Sequence, residues 1–322
     1  MTASGYPKIE LHVHLEGSIR AATLLDLARR NGQSLPADTV EGLAQLYRYT
    51  NFAHFIQVWL MNMACLCTAE DFRQITVDYA AEAAGFGAVY LEAIFSPCER
   101  VQRGVGWDEL FTGYTEGAVE AYERYGVTVR FTPDVYRGVD VELAEQCARV
   151  AVRYRDRGVV GLGIGGAEVD RPVAPYRRAF RIARDGGLGV VPHSGETDGP
   201  ESIREVLTVL EPDRIRHGVR AVEDSKLLAD IAGRGIVLDV CPTSNLRIGV
   251  VSTVDEHPLP VLRAAGVRCT VNTDDPAMFD TDLGREYEIA AALGVSAEDA
   301  YLAGLAGALC DGPTRAQLAA IV

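Results

Sequence analysis

Eight short runs rich in apolar and β-branched residues recur along the 322-residue chain, at 9–15, 88–95, 127–132, 159–164, 189–193, 214–217, 236–240 and 267–272. Several are almost continuously apolar, as parallel strands are when helices cover their sheet. Between them lie helix-like stretches, among them 69–84, 107–125, 141–157 and 200–210. Ser or Asp precedes helical runs and Gly closes several of them. Eight such units in a chain of this length predict an α/β fold, a (β/α)8 TIM barrel. Residues 25–64 are too many for one crossover and predict additional helices after strand 1, over the barrel mouth. No linker, repeat or low-complexity tract divides the chain, so residues 1–322 read as a single barrel domain.

The rival fold is a doubly wound sheet. Gly161, Gly163 and Gly166 match the GxGxxG pattern, with Asp185 near the acidic position. That pattern must open a helix, and Pro172 and Pro175 argue against one here.

The chain carries 31 Lys and Arg against 45 Asp and Glu, a net charge of −14. Phosphate binding needs a concentrated basic face, so neither nucleic acid nor an anionic membrane surface is an expected partner. No run approaches the roughly 18 apolar residues of a membrane span. Lys8, Glu10 and His12 stand where the apolar core of a secretory leader would lie, so a cytoplasmic protein is expected. The seven cysteines are odd in number and form no CxxC pair, which predicts reduced, mostly buried thiols. The PCxxC signature of cytidine-type deaminases is absent.

Four of the six histidines fall at or near strand ends: His12, His14, His193 and His217. His12 and His14 are two residues apart, so on a strand they share a face. Catalytic groups of this fold gather at the C-terminal rim from several strands. The eighth strand adds Asn272-Thr273-Asp274-Asp275-Pro276. Imidazoles converging with a carboxylate suggest a metal. Each feature alone has a plainer reading, as a hydrogen-bonded histidine or a turn; their joint position and order carry the metal reading. His54 reads as a surface or lid residue and His257 as structural.

At these residues the chain resembles the adenosine deaminase family of the amidohydrolase superfamily. The segment from Pro7 to Gly17, with His12-Val13-His14-Leu15-Glu16-Gly17, is similar to its opening motif. His193-Ser194-Gly195-Glu196, Arg216-His217-Gly218, Cys241-Pro242-Thr243-Ser244-Asn245 and the Asp274-Asp275 segment follow in family order. The resemblance implies one Zn2+ per chain, held by His12, His14, His193 and Asp274, with a water completing the site. It also implies hydrolytic deamination of a 6-aminopurine nucleoside. In that chemistry His217 orients and helps deprotonate the water, Glu196 protonates purine N1, and Asp275 holds the attacking oxygen and helps carry a proton to ammonia. Gly166 offers its backbone N–H to purine N3, and Phe55 lies in a flap helix over 51–63. Two-metal relatives use a carboxylated lysine on the fourth strand. This chain has only Lys8 and Lys226, neither near residues 159–166, which independently favours one metal.

Three departures bear on substrate. Glu16 replaces the family's usual aspartate, which binds the ribose 5′ end, Ala167 replaces an aspartate near the purine, and the tail from Leu302 to Asp311 lacks the Asn/Ser-Phe character often seen in the family. The segments 91–104 and 131–138 resemble a branch of the family, the actinobacterial aminodeoxyfutalosine deaminases of menaquinone biosynthesis. Their substrate is an adenine nucleoside with a 5′ aryl carboxylate. Such a ligand calls for an arginine, and Arg100, Arg103 and Arg137 are the candidates. Adenosine, adenine or a modified adenine are the alternative substrates. A non-catalytic metal-binding barrel should have lost Glu196, His217 or Asp275, and all three are present. Oligomeric state is not legible.

Overall fold

The computed structural model describes residues 5–49 and 52–322. Eight parallel strands form a closed ring. They are β1 (Lys8–His14), β2 (Ala88–Ile94), β3 (Thr128–Phe131 and Asp134–Tyr136) and β4 (Gly161–Gly165). Then come β5 (Gly189–Val190 and His193–Ser194), β6 (Arg214–His217), β7 (Val237–Val240) and β8 (Arg268–Val271). Each strand pairs in parallel with the next. The ring closes where Val13 bridges Asp274: His14 N donates to Asp274 O at 2.7 Å, and Asp274 N to His12 O at 3.1 Å. The predicted TIM barrel is thus the observed fold, and it places His12, His14 and Asp274 at one seam.

Two strands are interrupted by proline, which has no N–H to donate. Pro133 divides β3 and Pro192 divides β5. The ladder continues through their carbonyls, which accept from Gly163 N and Arg216 N, each at 2.9 Å. The predicted strand 127–132 therefore runs on past Pro133 to Tyr136, while the predicted strand 189–193 already spans Pro192 and continues one residue further, to Ser194.

Helices cover the outside. Ala69–Gly85 opens on a capping box in which Thr68 and Asp71 satisfy each other's backbone N–H. The predicted 141–157 helix ends earlier, at Arg153, with a short 3-10 turn to Arg157 and left-handed Gly158 after it. Residues 25–64 do hold the extra helices, within Ala21–Arg30, Val40–Leu46 and Phe52–Ala64. The last of these lies across the mouth; Asn51 of the expected flap falls outside the described residues. After β4 the chain passes through bends to a 3-10 turn at Ala174–Tyr176, so no helix opens on the glycine pattern. Among the described residues no single helix is long and apolar enough to cross a membrane. All seven cysteines are free, five of them buried.

Candidate active site

At the C-terminal mouth, four side chains from three strands turn one atom each toward a common point. His12 and His14 come from β1, His193 from β5, and Asp274 follows β8. The Nε2 atoms of His12 and His14 lie 3.1 and 3.2 Å from His193 Nε2. Asp274 Oδ1 lies 3.1 Å from His12 Nε2 and 3.4 Å from His14 Nε2. Zinc bound at about 2.0–2.1 Å by nitrogen and oxygen has tetrahedral edges of about 3.3 Å, so this spacing fits a metal of that size. Three like nitrogen atoms at such distances would otherwise repel or leave lone pairs unmatched.

The protonation states also suit a metal. Burial pushes the His12 and His193 imidazoles well below their usual range, and His14 down as well, so each keeps a free lone pair. Burial works against the Asp274 carboxylate, but the neighbouring imidazoles overcome it and hold it well below the usual range. Surrounding groups aim these four side chains, as they do around candidate metal sites. His193 Nδ1 lies 3.1 Å from Ile164 O and 3.2 Å from Asp134 Oδ2, which places its ring proton there and leaves Nε2 open. Ser244 donates to Asp274 Oδ2 at 2.6 Å. Cys241 faces the other side of His12, 3.5 Å from Nδ1, so it is not part of the converging set. Asp274 and His217 both adopt left-handed backbone, with φ of 65° and 60°. Such conformations are unfavourable for these residues and persist where the surroundings over-determine them, as at functional sites.

Beside the ligands stand the expected acid–base groups. His217 Nε2 is 3.2 Å from Glu196 Oε1 and 3.9 Å from Asp274 Oδ2. Burial, reinforced by Asp274, Glu168 and Asp275, pushes the Glu196 carboxyl well above its usual range. It is therefore kept as a carboxylic acid, the state a proton donor needs. Asp275 is likewise pushed well up by burial and by Asp274, with a hydrogen bond from Trp59 working the other way. Asp275 fits because residue 17 is glycine: a Cβ there would overlap Asp275 Oδ1.

A cavity of about 550 Å³ opens from this cluster, within the usual range of about 300–1,000 Å³ for small-molecule sites. His14, His193, Glu196, His217, Asp274, Asp275, Gly166, Phe55, Arg103 and Arg137 all line it. Gly166 has φ of 84°, and the space at its α-carbon is ordinary, so the backbone angle rather than crowding requires glycine. Phe55 stacks on Phe279 at 5.2 Å across the roof. His54 lies on the same helix, edge-on to Tyr49.

Two expected substrate contacts do not reach the cavity wall. Glu16 is buried and accepts from Ser96 N at 2.8 Å and Tyr114 Oη at 3.3 Å. Arg100 is buried with its guanidinium on Met63 O. The reason is local: Arg100 is on the buried side of the short helix Pro97–Gln102, while Arg103 caps it at the cavity rim, exposed. Arg137 lines the wall, but one Nη donates to His193 O at 2.6 Å.

Sequence reading missed Glu168 as a structural clamp. Its carboxylate accepts from the backbone N–H of Gly195, Glu196 and Thr197 at 2.7, 3.0 and 3.0 Å, and from Ser202 Oγ at 2.8 Å. Four hydrogen bonds to one carboxylate fix the loop that presents Glu196. The available signal was a lone acidic residue two positions after a cavity glycine. Asp134 and Arg216, ion-paired inside the barrel, were missed too. An arginine two residues from Arg214 on a lumen strand needs a buried partner, and that need was the clue.

A closed eight-stranded barrel with three histidines and an aspartate converging at its C-terminal mouth defines a metal-dependent hydrolase of the amidohydrolase type. The chain belongs to the adenosine deaminase family, whose pattern it matches over residues 7–322. It is 55% identical to an aminodeoxyfutalosine deaminase of Acidothermus cellulolyticus, across 99% of this chain and 91% of that protein. Its fold superposes on adenine deaminase from Arthrobacter aurescens with a TM-score of 0.92, at 29% identity and covering 98% of each chain. An amidohydrolase from Burkhoderia ambifaria with bound zinc matches with a TM-score of 0.88, at 27% identity, covering 98% of this chain and 89% of that one. The protein is accordingly a metal-dependent deaminase acting on small aminopurines.

Proposed function

We propose that this chain is a cytoplasmic, single-domain zinc enzyme that deaminates 6-amino-6-deoxyfutalosine to futalosine and ammonia. The observation that carries the reaction is the four-ligand cluster beside Glu196, His217 and Asp275 on one cavity wall. Near-full-length identity to the Acidothermus enzyme supports the substrate. So does a cavity that extends past the reacting end to Arg103.

His12, His14, His193 and Asp274 would hold one zinc. When bound it supplies Lewis-acid activation, which lowers the pKa of a water from about 15.7 to about 7. The protein's own groups do the rest. Gly166 presents its backbone N–H toward purine N3. Glu196, kept protonated, gives its proton to N1 as the ring takes up electrons. His217 and Asp275 flank the attacking oxygen, and Asp275 relays a proton to the departing ammonia. Phe55 and its helix exclude water from the purine, which strengthens every charge interaction beneath it. Arg103 meets the substrate carboxylate at the far rim.

Ammonia release measured in parallel on aminodeoxyfutalosine, adenosine and adenine tests the reading. The expected result is a clear preference in kcat/KM for aminodeoxyfutalosine. A preference for adenosine or adenine overturns the substrate, and no release from any of them overturns the reaction.

A further inference from the structure

Behind His217 lies a run of hydrogen bonds whose direction is fixed by chemistry. It starts at a backbone amide, which can only donate: Leu259 N donates to His257 Nδ1 at 3.1 Å. His257 Nδ1 is therefore an acceptor and bears no proton. His257 is buried, and burial lowers its pKa to about 4, so the ring is neutral and its single proton sits on Nε2. That Nε2 lies 3.2 Å from Asn245 Oδ1, so the amide oxygen accepts. The other end of the same amide is its NH2 group, which can only donate. It faces His217 Nδ1 at 3.5 Å, and both residues are buried. His217 Nδ1 must then hold a lone pair, and the proton of the neutral ring is left on Nε2, the atom facing Glu196 and Asp274.

We infer that Asn245 and His257 are positioning residues that set the tautomer of His217, holding its proton on Nε2 in the resting enzyme. His217 thus enters the site as a hydrogen-bond donor that orients the reacting groups; in this tautomer its Nε2 has no lone pair to take the water's proton, so the deprotonating role that the family resemblance implies for it does not fall to the resting ring. Its donation to Glu196 Oε1 leaves the acid's own proton on the other oxygen, free for substrate. The order of atoms also explains why two residues outside the cavity matter. An amide has one donor end and one acceptor end, so turning one member of the chain reverses every bond that follows it. The consequence for rate rests on the deaminase reading, while the tautomer itself does not.

The test is a long-range 1H–15N correlation spectrum of the zinc-loaded, 15N-histidine-labelled protein, with His217 assigned by difference from His217→Asn. The expected signature is a pyridine-type Nδ1 and a pyrrole-type Nε2 at His217, and the same pattern at His257. A pyrrole-type Nδ1 at His217 in the wild type overturns the inference, whatever the variants do. Asn245→Asp offers only acceptors, so it should move the His217 proton to Nδ1 and lower kcat about 10²-fold or more, with little change in KM. His257→Leu should also lower kcat, and His257→Gln, which restores an N–H donor toward Asn245, should recover most of that loss. Equal loss in the Leu and Gln variants, or an unchanged His217 spectrum in Asn245→Asp, overturns the relay. Because the spectrum needs no turnover, inactivity toward every purine would refute the proposed reaction without touching the tautomer.

Discussion

Arg214 and Arg216 stand two residues apart on β6, both fully buried in the barrel, yet they serve different ends of it. Arg214 is enclosed toward the floor. It lies 2.8 Å from Glu92 Oε2 and 2.5 Å from Asp239 Oδ2, and it donates to Gly307 O at 2.7 Å and Leu11 O at 3.1 Å. Its partners are held in turn: Tyr90 Oη donates to Glu92 Oε1 at 2.9 Å, and Thr270 Oγ1, from β8, to Asp239 Oδ1 at 2.9 Å. Arg216 pairs instead with Asp134 and with Thr132 Oγ1 at 2.6 Å, and Asp134 goes on to meet the ring of His193. One arginine ends in a closed set of partners; the other ends at His193, one of the four converging side chains that could hold a metal. Gly163 makes the second arrangement possible, because a Cβ there would overlap both Asp134 and Arg216. Buried charge at the floor is thus a matter of folding, and buried charge at the mouth is a matter of aim.

This contrast can be broken from either end. The largest expected effect is at the mouth. Glu196→Gln keeps size but loses the transferable proton, and kcat should fall about 10²- to 10⁴-fold while the metal stays bound. A variant within about tenfold of wild type on that scale would mean another group protonates the purine. At the floor, Arg214→Met strands two buried carboxylates and should lower stability by about 3–5 kcal/mol. Chemical denaturation reads that loss, and the folded fraction should keep kcat within a few fold. A large kcat loss with little destabilisation would erase the distinction between the two arginines.

What the sequence disclosed follows the same division. The strand runs, the added helices and the gathering of strand-end histidines with a carboxylate were legible because each depends on local pattern and strand order; the choice of His12, His14, His193 and Asp274 as the metal-holding set came from the family resemblance. The wider surroundings were not. Glu168 acts on a loop 27 to 29 residues away, and Arg216 meets Asp134 82 residues away. Such partners exist only once the ring closes. Arg100 and Arg103 show the limit at short range: they sit three residues apart on and just after a one-turn helix, and only its docking decides which is buried. Glu16 was misplaced for a related reason, since the buried Ser96 amide and Tyr114 draw it from the cavity.

A smaller effect belongs to the rim. Arg103→Ala should raise KM for aminodeoxyfutalosine by about 10- to 150-fold, the worth of a hydrogen bond to a charged group. Slow turnover of adenosine, which lacks the carboxylate, should barely change. Equal loss on both substrates would make Arg103 a support of the rim. The smallest effect is expected at the roof: Phe55→Ala should raise KM severalfold for every purine accepted. A destabilised variant with unchanged KM would reduce Phe52–Ala64 to a packing helix.

The most direct test returns to the seam between β1 and β8. Demetallated protein is titrated with zinc while deamination of aminodeoxyfutalosine is followed, with circular dichroism confirming that the barrel stays folded. The account predicts no activity without metal and a linear rise that ends at one zinc per chain. A plateau at two, or undiminished activity in the metal-free protein, would contradict it.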